Sequence, residues 1–312
     1  FERGQCRFLS EDFYGAIGDY NTAIEIQPEN HEAFNSRGLA KFYLGDDEDA
    51  IIDFNKAIEL TPEYADAYNN RGFAKYDLED YEGAYFDFSK SIDLDNSDAD
   101  KYYNRGVVRA ELGEFVGAID DYNKSISLDS ADAESFNNRG IAKYAIVDFE
   151  GALADYDKAI AMDSLDAVKF DNRGMTKSAL GDYEGAIADY TRSIELFDED
   201  PDTYNLRGTV YYNLKNYEAA IDDYTLAIAL DEEESLYYDN RAAAKNDSGD
   251  YKGAIEDYSF SILFFPNDPE PFYYRALAKF SRGDNYDACL DLKVAAEMGL
   301  PEAEDELKEK CK

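Results

Sequence analysis

The chain has 312 residues, which include 69 aspartates and glutamates but only 31 lysines and arginines, so its formal net charge is −38. Nucleic acids and anionic membrane surfaces are poor partners for such a chain, because both attract proteins through a positively charged footprint. Hydrophobic residues make up 45% of the sequence, which is enough for a folded core and argues against disorder. No apolar stretch is long enough to cross a bilayer as a helix.

The sequence repeats itself every 34 residues from one end to the other. An arginine followed by a small residue marks each period, at Arg3, Arg37, Arg71, Arg105, Arg139, Arg173, Arg207, Arg241 and Arg275. A fixed period of this size predicts a solenoid of stacked units rather than separate globular domains. The predicted repeats lie near residues 1–30, 31–64, 65–98, 99–132, 133–166, 167–200, 201–234, 235–268 and 269–302.

The first repeat begins at Phe1, in the middle of a predicted helix, and it lacks an equivalent of Phe34. We therefore expect a further segment upstream. Cys6 occupies a column that holds alanine in other repeats, for example Ala40 and Ala74, which predicts that Cys6 is packed against a neighbouring helix.

The second repeat shows the predicted local structure. Apolar residues follow the helical period in two stretches, one containing Phe34, Gly38 and Leu39 and the other Ala50, Ile51, Phe54, Ala57 and Ile58. Leu44-Gly45-Asp46 supplies a helix stop, a turn and a new N-cap between them. Helices this short are marginal alone, so each pair is expected to stack on its neighbours.

These columns resemble the tetratricopeptide repeat family over essentially the whole chain. The residues of the second repeat that carry the resemblance are Phe34, Gly38, Ala50, Phe54, Ala57 and Pro62. The resemblance implies an all-α fold, an α-solenoid of nine 34-residue helix-turn-helix repeats that forms a right-handed superhelix with first helices on its concave face. Arginine stands where the family usually has leucine before the glycine, and this Asn-Arg-Gly variant resembles a bacterial subgroup.

A column of aspartates matches the column of arginines. The predicted ladder of ion pairs comprises Arg37, Asp53, Arg71, Asp87, Arg105, Asp121, Arg139, Asp155, Arg173 and Asp189. A guanidinium matched to a carboxylate is satisfied within the protein, so a structural role is favoured over an anchor for an anionic ligand. The sequence leaves open whether each arginine pairs within its own repeat or with the repeat before it.

The resemblance places an apolar and aromatic groove, edged by asparagine, on the concave face. Its predicted lining is Asn35, Leu39, Phe42, Asn69, Phe73, Tyr76, Tyr103, Asn137, Ile141, Tyr144, Asn205, Tyr212 and Tyr273. The family's clamp for acidic C-terminal tails uses basic residues that are missing here, so a neutral or basic extended peptide is the predicted ligand. The alternative is that part of this stripe simply packs helix on helix.

The end of the chain resembles a terminal motif of some bacterial repeat proteins, in which a last charged helix, here residues 303–312, caps the final repeat. In that arrangement Cys289 approaches Cys311, and a disulfide between them would imply an oxidising compartment; two free thiols are the alternative. Ser130 and Ser164 stand in triplets that resemble a bacterial O-glycosylation acceptor, although an unmodified loop is the simpler interpretation.

No catalytic or metal-binding constellation is apparent. His31 is the one histidine and has no partners at ligand spacing, and no carboxylate pair is distinguished from its repeated copies. The sequence therefore predicts a protein without enzymatic activity, cofactor or metal, which serves as a scaffold for protein–protein interaction through its groove and its ends.

The alternative function is self-assembly. Solenoid ends that stack without closing give an open filament, and the high charge and many tyrosines would suit an extracellular or surface polymer. The predicted partner is a neutral to basic protein or peptide, or copies of the chain itself, without nucleic acid or membrane insertion. The location is undetermined, with a periplasmic, cell-surface or extracellular site favoured over the cytoplasm.

Overall fold

The computed structural model describes residues 1–311, and these residues form nineteen helices and no β-strand. In chain order the helices are α1 (Glu2–Leu9), α2 (Phe13–Ile26), α3 (His31–Phe42), α4 (Asp47–Leu60), α5 (Ala65–Asp77), α6 (Tyr81–Leu94), α7 (Ala99–Glu111), α8 (Phe115–Leu128), α9 (Ala133–Ala145), α10 (Phe149–Met162), α11 (Ala167–Ala179), α12 (Tyr183–Leu196), α13 (Pro201–Asn213), α14 (Tyr217–Leu230), α15 (Ser235–Ser248), α16 (Tyr251–Phe264), α17 (Pro269–Arg282), α18 (Asn285–Glu297) and α19 (Pro301–Lys310). The predicted all-α repeat fold is confirmed, whereas the number of repeats and the hand of the superhelix stay predictions.

Aspartates and asparagines start many of these helices. Asp80, for example, accepts a hydrogen bond from the backbone N–H of Gly83, and Asn30 accepts one from Ala33. Such side-chain caps satisfy N–H groups that have no partner within the helix. The turn inside each pair then needs one residue with positive φ, which is glycine at Gly45 (φ 78°).

Helix pairs are held together by close backbone approach and by aromatic rings. A Cβ on Gly38 would lie 2.8 Å from ring carbon Cε1 of Phe54, so only glycine fits without movement of that ring. Ala50 and Phe54 on the facing helix are fully buried. Because buried aromatic rings contribute most of the apolar area in such small contacts, this pairing of a glycine with a ring is the basic unit of the core.

The chain divides into two compact units, Phe1–Asp163 and the residues from Ser164 onward, here called unit 1 and unit 2. In unit 1 each odd-numbered helix packs on the even-numbered helix that follows, and α3 contacts α5 while α7 contacts α9. In unit 2 the same pairing recurs, and α13 contacts both α11 and α15. The odd-numbered helices therefore line one face of each unit, which we call its inner face.

Cys6 does not follow the prediction, because it is exposed. The equivalent Ala40 is buried against Ala16 and Tyr20 of the preceding helix pair. Among the described residues α1 packs on α2, and no helix covers the corresponding side of α1, so Cys6 is accessible to solvent.

Candidate functional site

An arginine on each first helix pairs with an aspartate on the second helix of its own pair. Arg37 Nε donates to Asp53 Oδ2 at 2.8 Å, and Arg37 Nη2 donates to Asp53 Oδ1 at 2.5 Å. Lys41 brings Nζ to 2.9 Å from the same carboxylate. The other predicted pairs with this geometry are Arg71–Asp87, Arg105–Asp121 and Arg139–Asp155 in unit 1, and Arg173–Asp189 in unit 2. Each arginine thus pairs within its own repeat, which answers the question that the sequence left open.

The same guanidinium also contacts the preceding helix pair. Arg71 Nη1 donates to Asn55 Oδ1 at 2.5 Å, and in unit 2 Arg207 Nη1 donates to Thr191 Oγ1 at 3.0 Å. The ring of Tyr68 lies 5.4 Å from the guanidinium carbon of Arg71, within cation–π range. Arg71 and Arg207 are therefore engaged by several groups of the protein itself, and each links its repeat to the preceding repeat of the same unit.

Three asparagines predicted to line the groove are buried rather than open to a ligand. Asn35, Asn137 and Asn205 are 7%, 5% and 7% exposed. Asn35 Oδ1 accepts a hydrogen bond from Asn70 Nδ2 at 3.0 Å, because the two side chains meet where α3 contacts α5. In unit 2, Asn240 donates in the same way to Asn205. Asn35 and Asn205 thus link neighbouring first helices, whereas Asn137 donates to Asn138 on its own helix.

The remaining predicted groove residues lie on or near the inner face of their unit. Ile141 is 40% exposed, and the half-buried members are Leu39, Phe42, Asn69, Phe73, Tyr76, Tyr103 and Tyr144 in unit 1, with Tyr212 and Tyr273 in unit 2. Phe73 packs edge-on against Phe88 with ring centroids 5.3 Å apart, and Tyr212 donates to Asp247 Oδ2 at 2.7 Å. These residues therefore pack between helices and still expose part of their surface on the inner face.

Two adjoining depressions open on the inner face of unit 1. The first has a volume of about 230 Å³, and its lining includes Phe73, Tyr76, Tyr103 and Val107. The second has a volume of about 280 Å³ and is lined by Phe73, Tyr103, Asn104, Asp100, Asp132 and Glu134. Because Phe73 and Tyr103 belong to both, an apolar pocket and an acidic pocket share one aromatic wall.

Electrostatics in the acidic pocket favour a cation. Burial raises the pKa of Asp100, and the nearby carboxylates Asp98, Asp132 and Asp129 raise that pKa further. Burial also raises the pKa of the Tyr103 phenol, with Glu134 and Asp132 adding to the effect. A positive charge placed here would relieve this mutual repulsion.

The other predicted residues lie away from this face. Cys289 and Cys311 are joined by a disulfide in unit 2, which ties the end of α19 to α18. Ser130 and Ser164 are both exposed, and their glycosylation stays a prediction. Sequence reasoning missed Asp100, Asp132 and Glu134, although their charge and their place at the start of α7 and α9 were visible in the sequence.

Among residues 1–311 no group of histidine, cysteine and carboxylate side chains is arranged to hold a metal ion. None of the helices in this part of the chain is both long enough and apolar enough to span a membrane.

Family models and solved structures both resemble this chain. A model described as TPR repeat matches residues 38–79 and 178–215, and models described as tetratricopeptide repeat match residues 65–98 and 201–234. Among solved structures, the C-terminal part of a TPR repeat-containing protein from Cytophaga hutchinsonii is 17% identical, with a TM-score of 0.62 over 77% of this chain and 98% of its own. No curated protein matches the chain in sequence.

Two further solved structures share the fold. YrrB, described as a TPR protein with an unusual peptide-binding site, is 22% identical, with a TM-score of 0.52 over 57% of this chain and 92% of its own. The Cut9–Hcn1 hetero-tetramer of the APC/C contains a chain that is 18% identical, with a TM-score of 0.59 over 96% of this chain and 59% of its own.

Helix pairs that meet at glycine and stack through arginine links define a helical-repeat protein of the α-solenoid class. The repeat in question is the tetratricopeptide repeat, and the chain belongs to that family. Proteins of this family bind peptides or other proteins, so the chain is a protein-interaction scaffold in that general sense.

Proposed function

We propose that the inner face of unit 1 binds an extended segment of a partner protein that carries an apolar side chain close to a lysine or arginine. The observation that carries this proposal is the shared wall of Phe73 and Tyr103 between the apolar pocket and the acidic pocket. Alternate side chains of an extended peptide point to the same side and would enter the two pockets, which is how peptide grooves obtain specificity.

The chemistry of each pocket suits one kind of side chain. A leucine or phenylalanine would contact Phe73, Tyr76 and Val107, and burial of such an anchor in a pocket usually dominates the binding energy. A guanidinium or ammonium group beside Asp100 and Asp132 would find two carboxylates and an aromatic wall. An acidic tail would be repelled from the same site.

The test uses fluorescent peptides that contain one leucine and one arginine at varied spacing. We expect the D100N/D132N variant to bind the best of these peptides about thirtyfold more weakly than the native chain, because the two lost charge pairs contribute about 1 kcal/mol each. Asparagine keeps the N-cap that Asp132 provides for α9, so the fold is retained. The matched control is D120N/D222N, which removes two exposed charges elsewhere and should leave affinity nearly unchanged.

A peptide in which the arginine is replaced by norleucine completes the design. The native chain and D100N/D132N should bind this peptide equally, because the charge that distinguished them is gone. Equal binding of the arginine peptide by the native chain, D100N/D132N and the control would instead refute the proposed site.

A second candidate function is end-to-end self-assembly into an extracellular or surface filament. The observation that favours it is the first helix pair, where Leu9 is 83% exposed and forms, with Phe8, Tyr20 and Leu39, part of a depression of about 400 Å³. Size-exclusion chromatography and electron microscopy across salt and calcium concentrations test this candidate. A monomer under every condition would rule it out, whereas long filaments would make it the primary function.

A further inference from the structure

The outer side of α16 in unit 2 and the residue that follows this helix carry large apolar side chains that remain partly exposed. Phe260 is 47% exposed, Leu263 69%, Phe264 38% and Phe265 55%. We call these four residues the α16 patch. Single exposed apolar residues are ordinary on protein surfaces, but a contiguous group marks an interaction site.

In two other repeats the equivalent positions carry charged side chains that pair with each other, whereas α14 carries Leu226 at the position of Phe260. On α4, Lys56 and Glu59 occupy the positions of Phe260 and Leu263, and Lys56 Nζ lies 2.9 Å from Glu59 Oε1. On α12, Arg192 and Glu195 occupy them, with Nη1 2.9 Å from Oε2. The repeat fold therefore does not need apolar side chains at these positions, since an ion pair of neighbouring helical residues serves there equally well.

The contact beneath the patch explains how the fold accepts a phenylalanine at position 260 in place of a charged side chain. On α10, Lys158 Nζ lies 5.2 Å from the ring of Phe136, which precedes it by 22 residues. With the same spacing, Phe260 stacks on Tyr238 with ring centroids 5.4 Å apart, and Phe264 adds a second ring 5.6 Å from Tyr238. Phe260 keeps the contact with the buried ring but presents an apolar surface where Lys158 on α10 presents an ammonium group.

Acidic residues lie beside the patch. Tyr238, under Phe260 and Phe264, donates a hydrogen bond from its hydroxyl to the backbone carbonyl of Glu232 at 3.2 Å. Glu232 belongs to the exposed acidic run 231–234 between α14 and α15, and the Glu256 side chain on α16 itself is 60% exposed, with the exposed Lys252 Nζ 3.6 Å from it. The apolar surface is thus bordered by carboxylates on its own helix and on the adjacent connection.

We propose that the α16 patch docks a basic amphipathic segment of a partner protein, whose apolar residues cover Phe260 and Leu263 and whose lysines or arginines meet Glu232 and Glu256. Charge complementarity decides the occupant of this patch: Glu232 and Glu256 attract a basic segment and repel the carboxylates of a second copy or the phosphates of an anionic membrane that would lie over them. This surface is distinct from the inner face of unit 1 and does not depend on peptide binding there.

The test compares the native chain with F260K/L263E, which restores the ion pair seen at Lys56 and Glu59. This double variant leaves the net charge unchanged, so nonspecific attraction of a basic probe is the same in both proteins. The probe is an 18-residue amphipathic helix of leucine and lysine, and its affinity is measured by fluorescence anisotropy at two salt concentrations. The matched control is I52E/F86K, which removes two exposed apolar residues of α4 and α6 and is likewise neutral in net charge.

We expect the native chain and I52E/F86K to bind the leucine–lysine helix alike, and F260K/L263E to bind it at least about tenfold more weakly. Far-UV circular dichroism checks that all three proteins are folded. Equal binding by F260K/L263E and the native chain overturns the proposal, as does failure of the native chain to bind the probe. Two other results would also overturn it, because they assign the patch to another occupant: self-association that F260K/L263E abolishes, or a preference for neutral phosphatidylcholine vesicles over the peptide.

Discussion

At the scale of single residues, Arg139 tests how much the arginine links stabilise the stack. Its guanidinium bonds Asp155 through Nε at 2.8 Å and Asn123 through Nη1 at 2.6 Å, and its side chain is 12% exposed. Arg139→Ala leaves the buried Asp155 with Lys143 as its remaining cationic partner. We expect a loss of about 2 to 3 kcal/mol in the free energy of unfolding, measured by urea denaturation.

The control for that substitution is Arg192→Ala. Arg192 pairs with Glu195 on an exposed helix surface, where removing an ion pair costs at most about 0.5 kcal/mol. If both variants lose equally little, the arginine links do not stabilise the array.

Val147 is a residue whose backbone is strained. It occupies the turn between α9 and α10 with φ 66°, a conformation that glycine adopts at the equivalent Gly113 and that β-branched residues avoid. Val147 is 67% exposed and packs little, so Val147→Gly should raise the free energy of unfolding by about 1 kcal/mol. The same change at Val116, an exposed position within α8, should lower stability by roughly 0.4 kcal/mol, because glycine is a poor helix former. A loss of stability at both positions in thermal melts would contradict the strain argument.

Asp239 gives unit 2 a dependence on pH. Burial raises its pKa to about 6, and Asp268 and Glu270 add repulsion. In the unfolded chain the same carboxyl has a pKa of about 3.9, so the folded state binds the proton more tightly. The resulting stabilisation is complete below about pH 4 and is lost as the pH rises through about 6.

Asp239→Asn should therefore raise the stability of unit 2 at pH 7 by about 1 to 2 kcal/mol, with little gain at pH 4. The change is measured as the midpoint of denaturation against pH. Asp222→Asn removes the same charge from an exposed position and should shift the midpoint little at either pH. A gain for Asp239→Asn that is equal at pH 4 and pH 7 would show that its carboxyl does not titrate in this range.

How much the sequence could predict depended on whether a contact uses the same residue type in every repeat. Arginine and aspartate recur without exception, so their pairing was predictable from spacing alone. The acceptor on the preceding helix pair differs from repeat to repeat, as Asn55, Ser89 and Thr191 show. It therefore forms no column of one residue type. The burial of Asn35 was also missed, because its partner Asn70 lies on the next first helix and belongs to a different column.

At the scale of helices, α19 shows what closes the end of unit 2. Ala303 is fully buried, and Leu300 and Leu307 pack against the cluster that contains Leu292. The disulfide from Cys289 to Cys311 closes a loop of 22 residues, which corresponds to about 3 kcal/mol in the chain-entropy model.

Cys289→Ser should therefore loosen α19 before any other helix of unit 2. Hydrogen exchange followed by mass spectrometry should show faster exchange in residues 301–310 and little change in α13 and α14. Cys6→Ser alters a free, exposed thiol and serves as the control. Unchanged exchange of α19 in Cys289→Ser would show that apolar packing alone holds the helix.

The helix boundaries themselves were predictable where a cap or a glycine marks them. Gly45 and Asp46 indicated the turn between α3 and α4 correctly. The equivalent turn at Val147 uses a residue that sequence rules assign to strands or helices, and only the period revealed it. Exposure was harder to predict: the sequence shows that Phe260 is apolar, but only the packing of α16 shows which side of that ring stays open.

At the scale of the whole molecule, the charge of −38 should make stability rise with salt. Exposed carboxylates repel one another at low ionic strength, and salt screens that repulsion, whereas the arginine–aspartate pairs are largely buried and are screened much less. We expect the midpoint of thermal unfolding to rise by several degrees between 10 mM and 500 mM sodium chloride. A fall would mean that attractive pairs, rather than repulsion, dominate the electrostatic free energy.

The hydrogen bonds that the arginines donate to the preceding helix pair make neighbouring repeats interchangeable. Asn55 serves Arg71 and Ser89 serves Arg105, each 16 residues before its arginine. Excision of residues 65–98 would bring Arg105 to the distance from Asn55 that Arg71 now has, with an acceptor already in place. A gene with this repeat can gain or lose whole 34-residue units by recombination between its repeats, and the arginine at each new junction still finds a hydrogen-bond acceptor. The length of the array is therefore free to change under selection while its stacking chemistry stays the same.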